Sequence, residues 1–149
     1  MASFVVDDHL LRDILTGQRS ADLGGLASEG VATTGLWLFR LCSSFANPIT
    51  AGKLATPVMG LPLELQNRFR AQLLALPDEI EVLPMRDLSW QMAELQHRHR
   101  AKGRAMSAAM VEALAAAHTL GAGIAVSKHD VGPNLRSAAK ADGVLFRAL

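Results

Sequence analysis

Three carboxylates follow short apolar runs, at points where a buried strand would end. Asp7 and Asp8 come directly after Phe4–Val6, and Asp130 follows the apolar segment Ala122–Ser127. Carboxylate oxygens are the ligands that Mg²⁺ and Mn²⁺ prefer, and acids from separate strand ends can assemble one site. A cation held there activates water and neutralises the charge that develops when a phosphodiester is hydrolysed. The sequence therefore offers the parts of a divalent metal site.

Glu112 is a further candidate ligand, because it is the single acid in a long Ala-rich helical segment. The predicted catalytic and metal-binding set is then Asp7, Glu112 and Asp130. Each acid also has a purely structural alternative. Asp7 or Asp8 can cap the helix that follows, Asp130 can cap a later one, and Glu112 can pair with an arginine or face solvent. We expect Asp8 and Asp13 to be surface acids of the first helix.

A basic segment, His97–Arg104, is the main concentration of charge in the chain. Its four permanent cations are Arg98, Arg100, Lys102 and Arg104. Because a nucleic-acid backbone is bound by Lys and Arg with little regard to sequence, these four are candidate RNA-binding residues. The alternative is a solvated helix end, where cations favour the negative end of the helix dipole. The two histidines of the segment stand two positions apart, which points them to different sides of a helix and disfavours a metal site.

Several other chemistries find no support in the sequence. It contains no glycine-rich phosphate loop, no Gly-x-Ser-x-Gly elbow and no Cys-x-x-Cys pair. The one cysteine, Cys42, excludes an internal disulfide and fits a reducing compartment. We expect it to be a buried apolar residue rather than a nucleophile. The formal net charge of +1 gives the whole chain no preference for polyanions.

Hydropathy and charge at the N-terminus bear on the location of the protein. No apolar run reaches transmembrane length, and Asp7 and Asp8 interrupt the N-terminus too early for a signal peptide. We therefore expect a cytoplasmic protein without membrane contact. Trp37, Trp90 and the methionines exceed what a small core requires, so we also expect a homo-oligomer.

Alternating strands and helices must position the candidate residues. Apolar and alternating runs predict strands at Phe4–Val6, Glu79–Leu83, Ala122–Ser127 and Val144–Phe146. Helical spacing predicts helices over Leu10–Leu15, Leu36–Phe45, Leu61–Leu76, Ser89–Gln96, Met106–Leu120 and Asn134–Ala141. This order predicts a single α/β domain over residues 1–149, with three α/β/α layers and a mainly parallel central sheet.

Local signals refine the middle of the chain. Thr33 or Thr34 caps the second helix, whose apolar face is expected to include Phe39. The segment Ala51–Gly60 is expected to be a loop, because it contains Pro57 and ends in glycine. Ser89 is the expected cap of the fourth helix.

The arrangement of these segments resembles a known family. Phe4–Asp7 followed by a Leu-rich helix resembles the opening of PIN domains, the fold of VapC-type toxin ribonucleases. The closing half is similar in order and spacing: a linker at Gly103–Ser107, an Ala-rich helix ending at Ala122, a strand at Ile124–Ser127 and a helix and strand over Asn134–Val144. The resemblance covers the two ends of the chain and matches its middle only in the order of elements.

The resemblance implies three or four acids that hold Mg²⁺ or Mn²⁺ and cut RNA. Asp7 matches the first acid of the family. The second is normally a Glu in the second long helix, but Leu36–Phe45 contains no acid, and Arg40 stands about where that Glu would be.

The remaining family positions fall near the other two candidates. The third acid usually opens the Ala-rich helix, where this chain has Met110; Glu112 is two residues later, about 200° round the helix. The fourth falls on His129 or Asp130. The resemblance therefore implies an endoribonuclease with an incomplete carboxylate cluster of Asp7, Glu112 and Asp130. The alternative is a catalytically inactive PIN-fold module that binds RNA or a protein partner. Family members commonly dimerise and bind a small antitoxin, which makes these the expected protein partners.

Overall fold

A five-stranded parallel sheet forms the centre of the protein. The computed structural model of the chain describes residues 2–18, 25–26, 28–47 and 52–149. The strands follow the order β3-β2-β1-β4-β5 and all neighbouring pairs are parallel. Their bounds are β1 Phe4–Val6, β2 Val31–Thr33, β3 Ile80–Val82, β4 Gly123–Val126 and β5 Phe146–Ala148.

Helices cover both faces of the sheet. Those in the described part of the chain are α1 Asp8–Thr16, α2 Gly35–Ala46, α3 Gly52–Met59, α4 Leu63–Leu74, α5 Met85–Ala101, α6 Ala108–Leu120 and α7 Pro133–Ala141. The first four contribute buried residues to one core cluster, and α5, α6 and α7 contribute to a second. The predicted three-layer α/β/α fold with a parallel sheet is confirmed.

The central strands divide their side chains between the two cores. On β1, Val5 belongs to one cluster, whereas Phe4 and Val6 belong to the other. On β4, Ile124 and Ala125 separate in the same way. Successive side chains of a strand point to opposite faces, so a strand covered on both faces must be apolar throughout. This explains why both strands are continuous apolar runs in the sequence.

Three elements of the middle differ from the sequence prediction. Val31–Thr33 is a strand that pairs with β1 and β3, although it was not predicted. The expected loop contains a helix, α3, whose Ala55 and Val58 are buried in the core. Ser89 is not a cap: α5 begins at Met85, and the Ser89 hydroxyl donates to the Met85 carbonyl at 2.7 Å. Strand pairing stabilises the first of these elements and burial in the core stabilises the second, and neither is visible in local spacing.

The structure also tests the predictions for the cap of α2, for Cys42 and for the two tryptophans. Thr34, one of the two candidates, caps α2 by accepting a hydrogen bond from Trp37 N at 3.1 Å. Cys42 is half-buried. Trp37 lies in the core, so Trp90 is the tryptophan that remains on the surface. No helix in the described ranges combines the length and apolar character needed to span a bilayer.

Candidate functional site

The point where the sheet reverses its winding lies between β1 and β4. The chain builds outward from β1 through β2 to β3, then returns to the other side of β1 to form β4 and β5. In parallel α/β sheets, ligands bind at the carboxyl ends of the strands beside such a switch point. The residues that follow β1 and β4 here are Asp7–His9 and Ser127–Asp130.

Asp7 joins the ends of these two strands. Its Oδ1 accepts a hydrogen bond from Leu10 N and its Oδ2 accepts one from Ser127 N, both at 2.9 Å. Asp7 is therefore the N-cap of α1, as the structural alternative predicted, and it also holds the loop after β4 in place. Burial raises the pKa of Asp7 to about 7, against the lowering effect of the two backbone hydrogen bonds.

Asp8 is fully buried, so the prediction that it is a surface acid is wrong. Its Oδ1 accepts a hydrogen bond from His9 N at 2.9 Å. Its Oδ2 has no hydrogen-bond partner among the described residues and lies 3.3 Å from Arg40 Nε in an ion pair. Burial raises the pKa of Asp8, and the Arg40 charge opposes this shift. Asp13 is buried as well, with its carboxylate 2.8 Å from Arg12 Nη2.

Asp8, His9 and Asp130 form one group that could hold a metal ion. Each residue offers one ligand atom, and these atoms lie within 4.8 Å of one another. His9 Nε2 is 3.9 Å from Asp130 Oδ2. The group brings the predicted ligand Asp130 together with Asp8, which was expected at the surface, and with His9, which was not considered as a ligand. Asp7 and Glu112 do not belong to it.

Arg40 brings a positive charge to this group. Its Nε faces Asp8 Oδ2 at 3.3 Å, and its Nη2 lies 3.9 Å from Asp130 Oδ2. The guanidinium thus contacts both carboxylates that a cation would use. Half of the Arg40 side chain remains exposed, and neither of these two contacts involves Nη1.

A cavity of about 1070 Å³ opens at this edge of the sheet. Its lining includes the cations Arg12, Arg40, Lys53 and Lys128 and the acids Asp13 and Asp130, which come from α1, α2, α3 and the loop after β4. Arg12 is neutralised by Asp13 and donates to the Leu54 carbonyl at 3.1 Å. The other two cations of the cavity, Lys53 and Lys128, make no ion pair with the described residues.

Glu112 lies at the N-terminus of α2, fully buried. Its Oε1 accepts a hydrogen bond from Leu36 N at 2.8 Å, while its Oε2 has no hydrogen-bond partner in the described part of the chain. Oε2 packs beside Gly35, at the first helical position of α2. Glu112 therefore neither pairs with an arginine among the described residues nor faces solvent. Its carboxylate binds a backbone N–H at the positive end of α2.

The basic segment lies elsewhere. Arg98 donates two hydrogen bonds to Asp142, at 2.8 and 3.0 Å, and Arg104 donates to His99 Nδ1 at 2.9 Å. Asp142 precedes β5, so this contact is at the amino ends of the strands, opposite the cavity. Arg100 and Lys102 are exposed. None of the four cations is among the described residues that line the cavity.

Sequence reasoning named Asp8 among the strand-end acids but assigned it to the surface, and it missed His9, Lys53 and Lys128 as members of the site. The signal for His9 was its position beside Asp7 and Asp8 at the end of β1. Lys53 could not be placed while its segment was predicted to be a loop. Comparison of the sequence with protein-family models and with curated proteins finds no match. The class of protein is therefore defined by the parallel α/β fold and by the cavity at its switch point.

Proposed function

We propose that the protein is a PIN-like module that binds RNA in the sheet-edge cavity without cutting it. The observation that carries the proposal is the position of Arg40 against Asp8 and Asp130. A nuclease site of this type needs an acid at that place, because its cation is held by several carboxylates. A guanidinium supplies a fixed positive charge instead, and it binds phosphate through paired N–H donors.

The charge balance of the cavity supports binding of a phosphate backbone. Arg40 balances Asp8, and Arg12 balances Asp13, which leaves Lys53 and Lys128 against Asp130. Two lysine contacts to a single strand would give a modest salt dependence, with a slope of about 0.7 per phosphate contact in a log–log plot. Such a site binds RNA without a metal ion.

Fluorescence anisotropy of labelled single-stranded RNA, in the presence of EDTA, tests the proposal. We expect the wild-type protein to bind, with affinity that falls as salt rises, and the RNA to be recovered intact. Changing Lys53 and Lys128 together to Ala should abolish most of this affinity. The matched control changes Arg100 and Lys102 together to Ala, because both are exposed cations outside the cavity.

The two double variants separate the possible surfaces. A larger loss from the Arg100 and Lys102 pair would assign RNA binding to the end of α5 and contradict the proposal. Absence of RNA binding by the wild type would also contradict it. A protein partner, such as the small antitoxin expected from the resemblance, is then the remaining alternative, and its binding should be largely indifferent to salt.

A metal-dependent ribonuclease is the second candidate, and the group of Asp8, His9 and Asp130 favours it. The buried Oδ2 of Asp8, which has no hydrogen-bond partner in the described ranges, fits a cation ligand. One imidazole with two carboxylates suits Mn²⁺ better than Mg²⁺, which prefers oxygen ligands throughout. When bound, the cation would supply an activated water and neutralise phosphate charge. For this, Arg40 must leave the carboxylates.

Arg40→Glu tests whether the group of Asp8, His9 and Asp130 binds the Arg40 guanidinium or a metal ion. The variant gathers a further acid beside Asp8 and Asp130, so we expect weaker RNA binding in EDTA and tighter Mn²⁺ binding by titration calorimetry. Arg68→Glu, an exposed cation of α4, is the control and should change neither. RNA cleavage by the wild type with Mn²⁺ that is lost in Asp130→Asn would favour the ribonuclease. Equal cleavage by wild type, Asp130→Asn and Asp7→Asn would indicate a contaminating nuclease.

A further inference from the structure

Phe39 is an aromatic residue on the wall of a cavity whose other walls are largely polar. Its helical spacing predicts an inward position, but its side chain is 66% exposed and lines the cavity beside Arg40. The buried face of α2 is formed by Trp37, Leu41 and Phe45 instead. The ring therefore contributes little to the core, which leaves its face available to a ligand.

The neighbours of Phe39 fix where a ligand would lie. Arg40, the next residue, is held by Asp8 and Asp130, so the backbone that carries Phe39 is anchored at the same place. Lys53 lines the same cavity from α3. A cationic wall with one aromatic face is the arrangement by which proteins bind single strands: cations contact phosphates and a base stacks on the ring.

We propose that Phe39 is a base-stacking residue that makes this cavity select single-stranded nucleic acid over other polyanions. This inference rests on the proposed RNA binding and adds the source of its specificity. The lysines and Arg40 contact any chain of phosphates equally, whereas the ring contacts only a ligand that carries free bases. In a duplex the bases are already stacked inside, so a ring on a cavity wall does not reach them.

Three ligands tested against Phe39 variants separate stacking from charge. The probes are a short single-stranded RNA, an abasic phosphodiester oligomer of the same length, and an RNA duplex. We expect Phe39→Ala to lower the affinity for the single strand about tenfold, the size of one base–aromatic contact, and to leave binding of the abasic oligomer unchanged. Phe39→Trp should retain or raise the single-strand affinity. Phe39→Leu, which keeps the apolar character without the ring, should lose it as Ala does.

Trp90→Ala is the matched control, because Trp90 is exposed, aromatic and outside the cavity. It should change no affinity. Equal single-strand binding by wild type and Phe39→Ala would overturn the inference and leave the proposed RNA binding intact. An equal loss for the single strand and the abasic oligomer would also overturn it, since Phe39 would then act through the position of Arg40. Absence of all RNA binding by the wild type would overturn both.

Discussion

Asp8 and Arg40 determine the chemical character of the cavity at the residue scale. Removal of a carboxylate from water costs several kcal/mol unless a positive charge compensates it. Arg40 provides that charge from a neighbouring helix, at 3.3 Å. The same side chain is half exposed and lines the cavity, so in the proposed function one residue both stabilises a buried acid and binds a phosphate. A metal ion could replace it only by supplying the same compensation.

Glu112 has a structural role that can be separated from metal or RNA binding. Glu112→Ala leaves Leu36 N–H without its acceptor and creates a cavity beside Gly35, so we expect a loss of about 2–4 kcal/mol in unfolding free energy. Glu112→Gln retains an oxygen for Leu36 N–H and should cost clearly less. Urea denaturation measures both. Mn²⁺ and RNA affinities should match the wild type in the Gln variant.

A different result would return Glu112 to the functional site. If Glu112→Gln folds with wild-type stability but loses Mn²⁺ or RNA binding, then the carboxylate acts on a ligand. The helix-terminal contact to Leu36 would then be secondary to that function.

The sequence identified part of the site because parallel topology brings strand ends together. Asp7 and Asp130 were placed at the ends of their strands, and the structure brings both to one edge of the sheet. Whether Asp7 or Asp8 joins His9 and Asp130 in one group depends on the turn between strand β1 and helix α1. Asp7 has an extended backbone and is used as the cap, and Asp8 is the first helical residue, next to Arg40. That distinction rests on contacts that span the chain and that local spacing does not contain.

At the scale of elements, apolar runs predicted strands β1 and β4 correctly, and helical spacing predicted helices α1, α2, α4, α6 and α7. The short segments failed for a physical reason. Strand β2 has only three residues and is followed at once by the N-cap of α2. Its sequence therefore resembles the residues that precede a helix. Helix α3 contains Pro57 and has eight residues, which local propensity disfavours. Burial of Ala55 and Val58 stabilises it, and long-range packing of this kind is not visible in local spacing.

The close packing of β4 between β1 and β5 gives a prediction at this scale. A Cβ on Gly123 would lie 2.7 Å from the Phe4 ring and 3.0 Å from the Leu145 carbonyl oxygen. Because backbone as well as side chain must move, we expect Gly123→Ala to lower the unfolding free energy by about 1–3 kcal/mol. Gly60→Ala is the control, since its Cβ would meet nothing closer than 3.9 Å. Urea denaturation of both variants checks this; a Gly123→Ala protein as stable as wild type would mean that the strands separate easily.

At the scale of the whole molecule, Asp142 connects three helices on the face opposite α1. It accepts two hydrogen bonds from Arg98 of α5, one from His118 of α6 at 2.8 Å and one from His99 at 3.2 Å. Arg104 donates to His99 Nδ1, and arginine has no acceptor, so the neutral His99 ring carries its proton on Nε2 and donates it to Asp142. The basic segment thus contributes two of its cations to the fold itself.

These contacts make the unfolding free energy of the protein depend on pH in the acid range. Burial alone would raise the pKa of Asp142, but the hydrogen bonds from Arg98, His118 and His99 outweigh it and hold that pKa well below its ordinary value of 3.8. A carboxyl whose pKa is lower in the folded state binds its proton more readily when unfolded. Its stabilising contribution is therefore complete above its ordinary pKa and is lost as the pH falls below that value. Neutral and alkaline pH should leave it unchanged.

Asp142→Asn tests this connection for the molecule as a whole. Loss of the charge leaves Arg98 without its carboxylate and weakens the contacts of α5 and α6, so we expect a loss of about 3 kcal/mol in unfolding free energy at neutral pH. The variant should lose less stability than the wild type when the pH is lowered to about 3, because its side chain does not titrate. Asp87→Asn, at an exposed acid of α5, is the control and should keep the wild-type pH profile. Urea denaturation at both pH values gives the comparison. If the Asp142→Asn protein instead keeps the wild-type unfolding free energy at both pH values, packing alone holds helices α5, α6 and α7 together, and the Arg98 ion pair adds no stability.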